Sequence, residues 1–168
     1  MKTDPIFYRL FQEYPSSFFE LIGESTNLVD AYKFDSFEVK QTAFRIDGLF
    51  IPKASNRDKK LYFIEVQFQK NNYIYSNLFS EIFLYLDKND PFQNWQAVVI
   101  YQKKSLEPTE LTPYQELLNS DKVIRIYLDE LSSDTSSLGL DIIKLVVSQS
   151  PEVPQKSQTT LKSSNRRT

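Results

Sequence analysis

The stretch YFIEVQFQ, residues 62–69, decides how this chain is read. Apolar and aromatic side chains fill one set of alternating positions, and Glu65, Gln67 and Gln69 fall on the other. Period-two alternation of this kind is strand chemistry. A strand this apolar expects burial, and burying an unpaired carboxylate is costly or forces it to take up a proton. Either Glu65 sits on a wet face, or a neighbouring group is there to bind it.

The segments around it set the architecture. SFEVKQTA (36–43), FRIDGLFI (44–51) and KLYFIEVQF (60–68) read as three strands whose short links predict an antiparallel meander. YIYSNLFSEIFLYLDK (73–88) is the strongest helix, with Ile74, Leu78, Ile82 and Tyr85 on one face. WQAVVIYQ (95–102) reads as a buried strand, so the helix before it implies a right-handed crossover to a parallel neighbour. KVIRIYLDEL (122–131) is a further strand and LGLDIIKLVVSQS (138–150) a last helix. At the start, TDPIFYRLFQEYP begins like a helix, with Asp4 as cap, Pro5 in the first turn and Ile6, Leu10 and Tyr14 sharing a face. SSFFELIG (16–23) reads as a second short helix, with Ser17 and Glu20 spaced as a capping box; residues 24–32 read as a loop. The sum is an α/β sandwich with a mixed sheet.

Composition prunes the chemistry. With 168 residues, 40% apolar and 25% charged, the chain is most simply one globular domain. Its 13 Phe and 10 Tyr suit an aromatic core, with stacking on a ligand as the rarer use. There is no His and no Cys, which excludes a Ser-His-Asp triad, a His base, thiolate chemistry and disulfides. Three scattered glycines cannot build a phosphate-cradling loop. A net charge of −2 supplies no global attraction to nucleic acid, so such a partner needs a local patch. No apolar run approaches the ~20 residues of a membrane span, and Asp4 and Arg9 break any secretory pattern at the start. The expected setting is cytoplasmic. Residues 151–168 turn to Ser, Thr, Gln, Pro, Lys and Arg, which predicts a domain over 1–150 and a disordered polar tail.

Strand parity then connects Glu65 to a partner. Arg45, Asp47, Leu49 and Ile51 share one face of their strand; Leu61, Phe63, Glu65, Gln67 and Gln69 share one face of theirs. If the two strands pair as a hairpin, Asp47 and Glu65 approach each other. Two close carboxylates repel, so one holds a proton unless a cation lies between them. Mg²⁺ binds one or two carboxylates together with waters and phosphate oxygens. Residue pattern alone leaves solvated edge charges as the competing reading.

The order helix, hairpin, Asp47, then Glu65 and Gln67 on a strand followed by a helix resembles the PD-(D/E)XK nuclease superfamily. The flow of FYRLFQEYPSSFFELIG, FEVKQTAFRIDGLF, YFIEVQFQ and FSEIFLYL is similar to its Rpn-like recombination-promoting nuclease and transposase-like group, over about residues 1–150. The resemblance implies a restriction-endonuclease-like three-layer sandwich with an αβββαβ core. It also implies a metal-dependent DNA endonuclease acting in recombination or transposition. Asp47 and Glu65 would hold Mg²⁺, or Mn²⁺ in its place, with the backbone carbonyl of Val66 as a further ligand. Glu20 stands where many members carry an auxiliary helix glutamate, and the capping box is its alternative reading. Gln67 departs from the usual Lys: it can hydrogen-bond a water or phosphate but brings no charge. Lys40 is a candidate replacement cation or DNA contact, with a plain surface lysine as its alternative reading, and Ile46 stands where a proline is usual. Duplex cleavage usually needs two active sites, so the resemblance allows a homodimer.

Three weaker features complete the reading. Lys53, Arg57, Lys59 and Lys60 form a basic loop that either meets DNA phosphates or is simply solvated. Tyr75, Asn77 and Glu81 are placed to line a cleft, with Glu81 read as a solvated helix charge. Loss of cleavage would leave a nuclease-fold DNA-binding module, and a protein-interaction domain has no motif behind it.

Overall fold

The computed structural model describes residues 5–38, 45–132 and 137–149, and of these not the side chains of residues 37, 38, 45 and 149. The expected cap at Asp4, the candidate cation Lys40 and the tail from 151 lie outside the described residues. Two helices lead, α1 (Pro5–Glu13) and α2 (Ser16–Leu21), then a 3-10 turn at Thr26–Ala31. Strands β1 (Tyr32–Glu38), β2 (Arg45–Pro52) and β3 (Leu61–Gln67) follow. Helix α3 (Ile74–Asn89) leads to β4 (Trp95–Tyr101), and the short α4 (Gln115–Leu118) to β5 (Val123–Tyr127). Helix α5 (Leu138–Gln149) closes the described chain.

The sheet order is β1-β2-β3-β4-β5. The first three strands pair antiparallel, whereas β3, β4 and β5 run parallel. Connection length explains the switch: a hairpin link returns the chain antiparallel, while a link holding a helix returns it parallel. Strand β3 is buried along its whole length because both its faces are covered. Leu61 and Phe63 pack with α3 through Leu78, Ile82 and Tyr85. Tyr62, Ile64 and Val66 pack with α1, α2 and α5. Helices therefore flank a five-stranded mixed sheet on both faces.

Four local expectations change. In α1 the buried face is Phe7, Leu10 and Phe11, while Ile6 and Tyr14 are exposed. Both sets have helical spacing, and the set with two Phe rings removes more apolar area from water. Strand β1 starts at Tyr32, because the supposed loop before it coils as a 3-10 turn capped by the Ser25 hydroxyl, which accepts from Asn27 N–H at 3.3 Å. Strand β5 stops at Tyr127, and Leu128–Glu130 is again a 3-10 turn. The capping box at Ser17 and Glu20 does not form. Pro15 occupies the cap position of α2, and the buried Ser17 hydroxyl donates to the Tyr14 carbonyl at 2.6 Å.

Glu20 turns instead to the far end of the chain. Its Oε2 accepts from the Ser137 hydroxyl at 2.6 Å, and Ser137 in turn accepts from Leu140 N–H at 3.2 Å at the start of α5. Gly139 makes this approach feasible: a methyl there would collide with Glu20 Oε2 and lie 2.9 Å from Ser17 Cα. Gly139→Ala is accordingly expected to destabilise the fold by about 1–3 kcal/mol, despite the better helix propensity of Ala. A thermal melt checks it; an unchanged or raised midpoint contradicts the packing.

Candidate functional site: a buried acidic cluster

Four polar side chains meet on the inner part of the sheet. Asp47, Glu65, Gln67 and Glu81 are all at most 7% exposed. Strand β3 carries Glu65 and Gln67 two residues apart, so both point to the face that Leu61 and Phe63 share with α3. Glu81 reaches the cluster from α3.

Asp47 stands level with Glu65 by the plain β2–β3 register, but within a β-bulge that simple alternation does not anticipate. It also lines a small cavity with Phe7, Phe11 and Phe34 on the other side. On β1, Asp35 pairs with Leu49 and Phe37 with Ile46, so Asp47 and Gly48 together stand opposite Ser36. A bulge inserts one residue and re-aims its side chain. Ile46 and Leu49 consequently join the same α3-side core, which strict parity would have placed on opposite faces. Gly48 suits the crowded bulge, since a Cβ there would lie 3.0 Å from the Phe34 ring and 3.4 Å from Ile64 Cβ.

The electrostatics of the cluster follow from burial. Burial drives the Glu65 carboxyl well above the ordinary carboxylate range, and the neighbouring Asp47 and Glu81 carboxyls push it the same way. A hydrogen bond with Asp47 raises it too, whereas the Gln67 amide, donating to Oε1 at 2.6 Å, lowers it. Oδ2 of Asp47 is enclosed, with essentially no solvent contact. Metal-free, the pair is best served by one shared proton.

The donor set can be tested against the ion that the motif order implies. Among the described residues, no three His, Cys, Asp or Glu side chains are grouped so as to cage a metal by themselves. Mg²⁺ needs no such cage: it keeps several waters and takes one or two carboxylates. Two adjacent carboxylates that repel each other meet the ligand number of that requirement, with an amide hydrogen-bonded to one of them. Asp47 and Glu65 are the residues that would hold the ion. Val66, the other candidate, turns its side chain into the opposite core, leaving only its backbone carbonyl for such a role.

Other candidates lie elsewhere. Glu20 belongs to α2, whose rings pack on Phe50 and Tyr62, the face opposite Phe63; its bond to Ser137 gives it a structural role instead. The basic loop sits at the Leu61 end of β3, where Lys53 and Arg57 line a groove. Glu65 is four residues further along, about 13 Å at strand rise. Lys60 holds its ammonium 5.4 Å above the Tyr62 ring, and the Lys59 carbonyl accepts from the Gln93 amide at 2.6 Å. The structure therefore does not bring Lys53, Arg57, Lys59 and Lys60 together with the carboxylates. Asn77 is exposed. Glu81, read as solvated, is buried beside Glu65 because α3 lays that side of its surface on the sheet.

A second polar network borders the first, and sequence reasoning missed it. Gln67, Tyr101 and Tyr127 are successive register partners across β3, β4 and β5. Tyr101 donates to the Tyr75 hydroxyl at 3.0 Å, and Tyr75 donates to Glu107 Oε1 at 2.7 Å. Tyr127 donates to Glu107 Oε2 at 2.6 Å, and Arg125 Nη1 to Oε1 at 3.1 Å. Burial works to raise the Glu107 carboxyl, but the bonds from Tyr127, Tyr75 and Arg125 outweigh it and hold it below its ordinary value. Strands β4 and β5, helix α3 and the connection after β4 must come together to assemble these residues, so no short motif could have announced them.

Fold and site together define a mixed α/β protein with a buried carboxylate cluster near the carboxyl end of a central strand. The chain belongs to the family described as Protein of unknown function (DUF2887), which it matches over residues 3–168. No curated protein matches it, and no solved structure does. Among the described residues, no helix is long and apolar enough to cross a membrane.

Proposed function

We propose that this protein is a Mg²⁺-dependent DNA endonuclease of the PD-(D/E)XK type, with a restriction-endonuclease-like fold, acting in recombination or transposition in the cytoplasm. The observation that carries the reading is the buried meeting of Asp47 and Glu65 on adjacent strands, with Gln67 hydrogen-bonded to Glu65. Supporting it is the order of elements, an antiparallel hairpin bearing the Asp, then the Glu strand, then a helix and a parallel strand.

In this reading Asp47 and Glu65 hold the ion, and Gln67 fixes the Glu65 carboxylate while offering its amide toward a water or phosphate oxygen. The bound ion supplies charge neutralisation at a phosphate and a more acidic water. Glu81 adds negative charge behind the pair. Glu20 is not among the residues of this site.

Incubating the protein with supercoiled plasmid and Mg²⁺ or Mn²⁺ tests the proposal. Nicking is expected from the wild type and not from Glu65→Ala or Asp47→Ala; equal nicking by all three sinks the assignment. A second reading rests on Gln67, which brings no positive charge to the carboxylates. It holds that the fold persists as a DNA-binding module without cleavage. Salt-dependent DNA binding with no metal-dependent nicking would favour it.

A further inference from the structure

We infer that the protein carries a second ligand site, a groove for a nucleotide-sized phosphate ester, at the end of the sheet away from the acidic cluster. The groove, open to solvent, has a volume of about 580 Å³ between the β2–β3 connection and the end of α3. That volume lies within the range of small-molecule pockets and suits a nucleoside monophosphate. It is independent of the proposed cleavage chemistry, sharing no residue with Asp47, Glu65, Gln67 or Glu81.

Its chemistry is two-sided. Ile51, Leu61 and Tyr85 form an apolar and aromatic floor, continuous with the core against α3. Lys33, Lys53 and Arg57 line the rim, and among the described residues none of these three makes an ion pair. The one carboxylate on the lining, Asp90, is engaged in its own turn, where Oδ1 accepts from Phe92 N–H at 3.0 Å. Three cations against one lining carboxylate, with Asp35 near enough to act on Tyr85, leave the rim net positive, which favours an anion. A guanidinium with two ammonium groups suits a phosphate oxygen set, while the floor suits the flat apolar part of the same molecule. The side-chain amides of Asn89 and Gln93 reach the lining too, but already donate to the Tyr85 and Lys59 carbonyls. They brace the walls of the groove.

Titration of the full chain, in EDTA so that no metal site takes part, decides the matter. The probes are adenosine monophosphate, adenosine, inorganic phosphate and a short DNA duplex, followed by calorimetry and by amide chemical shifts. Adenosine monophosphate is expected to bind saturably and more tightly than adenosine or phosphate alone, with shifts at the 53–57 loop and the end of α3. Lys53→Glu and Arg57→Glu, both at exposed positions, are expected to keep the wild-type melt and to weaken binding by about tenfold or more. Absence of saturable binding overturns the inference. So does binding that survives both charge reversals, or a response to the duplex alone. Failure of plasmid cleavage leaves this result untouched, because the readout uses neither metal nor the carboxylates.

Discussion

Glu65→Gln is expected to abolish metal-dependent cleavage, by at least about a hundredfold, while making the metal-free protein more stable at alkaline pH. The two effects have one cause. Burial, with Asp47 and Glu81 close by, lifts the Glu65 carboxyl well above its value in an unfolded chain. A group whose folded value is raised stabilises the fold fully below the unfolded value. That contribution is lost as pH climbs through the folded one. Wild-type stability in EDTA should therefore decline from the ordinary carboxylate range upward, and Gln, which mimics the protonated acid, should remove that decline. Each 1 kcal/mol relieved raises the midpoint by about 2–4 °C in a domain of this size. Melting curves from acid to alkaline pH show it: near coincidence at the acid end and a widening gap in favour of the variant. A variant that loses stability at alkaline pH would mean that Glu65 is buried as a well-compensated anion.

Phe18→Ala is expected to be the costliest single truncation away from the site. Phe18 is fully buried and stacks on Phe50 at 4.6 Å between ring centres, with Phe11, Phe19 and Tyr62 also in ring contact. It is the point at which α2 joins α1 to the sheet. Removing the ring loses its burial and leaves a void that rigid aromatic neighbours fill poorly, for a loss of about 3–5 kcal/mol. At this chain length that is roughly 6–20 °C of melting midpoint. Phe92, 94% exposed, is the control, and its truncation should stay within about 0.5 kcal/mol of wild type. Similar losses at both positions would refute the assigned core.

What the sequence made legible was whatever obeys a short period. The alternation of 62–69, the helical spacing of 73–88 and the length of the link before 95–102 led directly to β3, α3 and the parallel pairing with β4. The meeting of Asp47 and Glu65 was legible too, but by an incomplete route. Parity ignored the bulge opposite Ser36 that places Ile46 and Leu49 on one side. Local rules failed where a distant partner outweighs a near one. Ser17 and Glu20 have capping-box spacing, yet Glu20 bonds Ser137, 117 residues away. Glu81 was read as solvated because a helix charge usually is, and its burial depends on which face of α3 meets the sheet. Glu107, Arg125, Tyr101 and Tyr127 gave no signal at all, since they meet only when the connection after β4 folds back over the β4–β5 pair.

The proposed metal site stands or falls on whether Asp47 and Glu65 bind a divalent ion as a pair. Calorimetric titration of Mg²⁺ and Mn²⁺ into the wild type and Asp47→Ala measures this. Saturable binding by the wild type that is lost in Asp47→Ala is the expected result. No saturable binding by the wild type, or equal binding by both proteins, would contradict it.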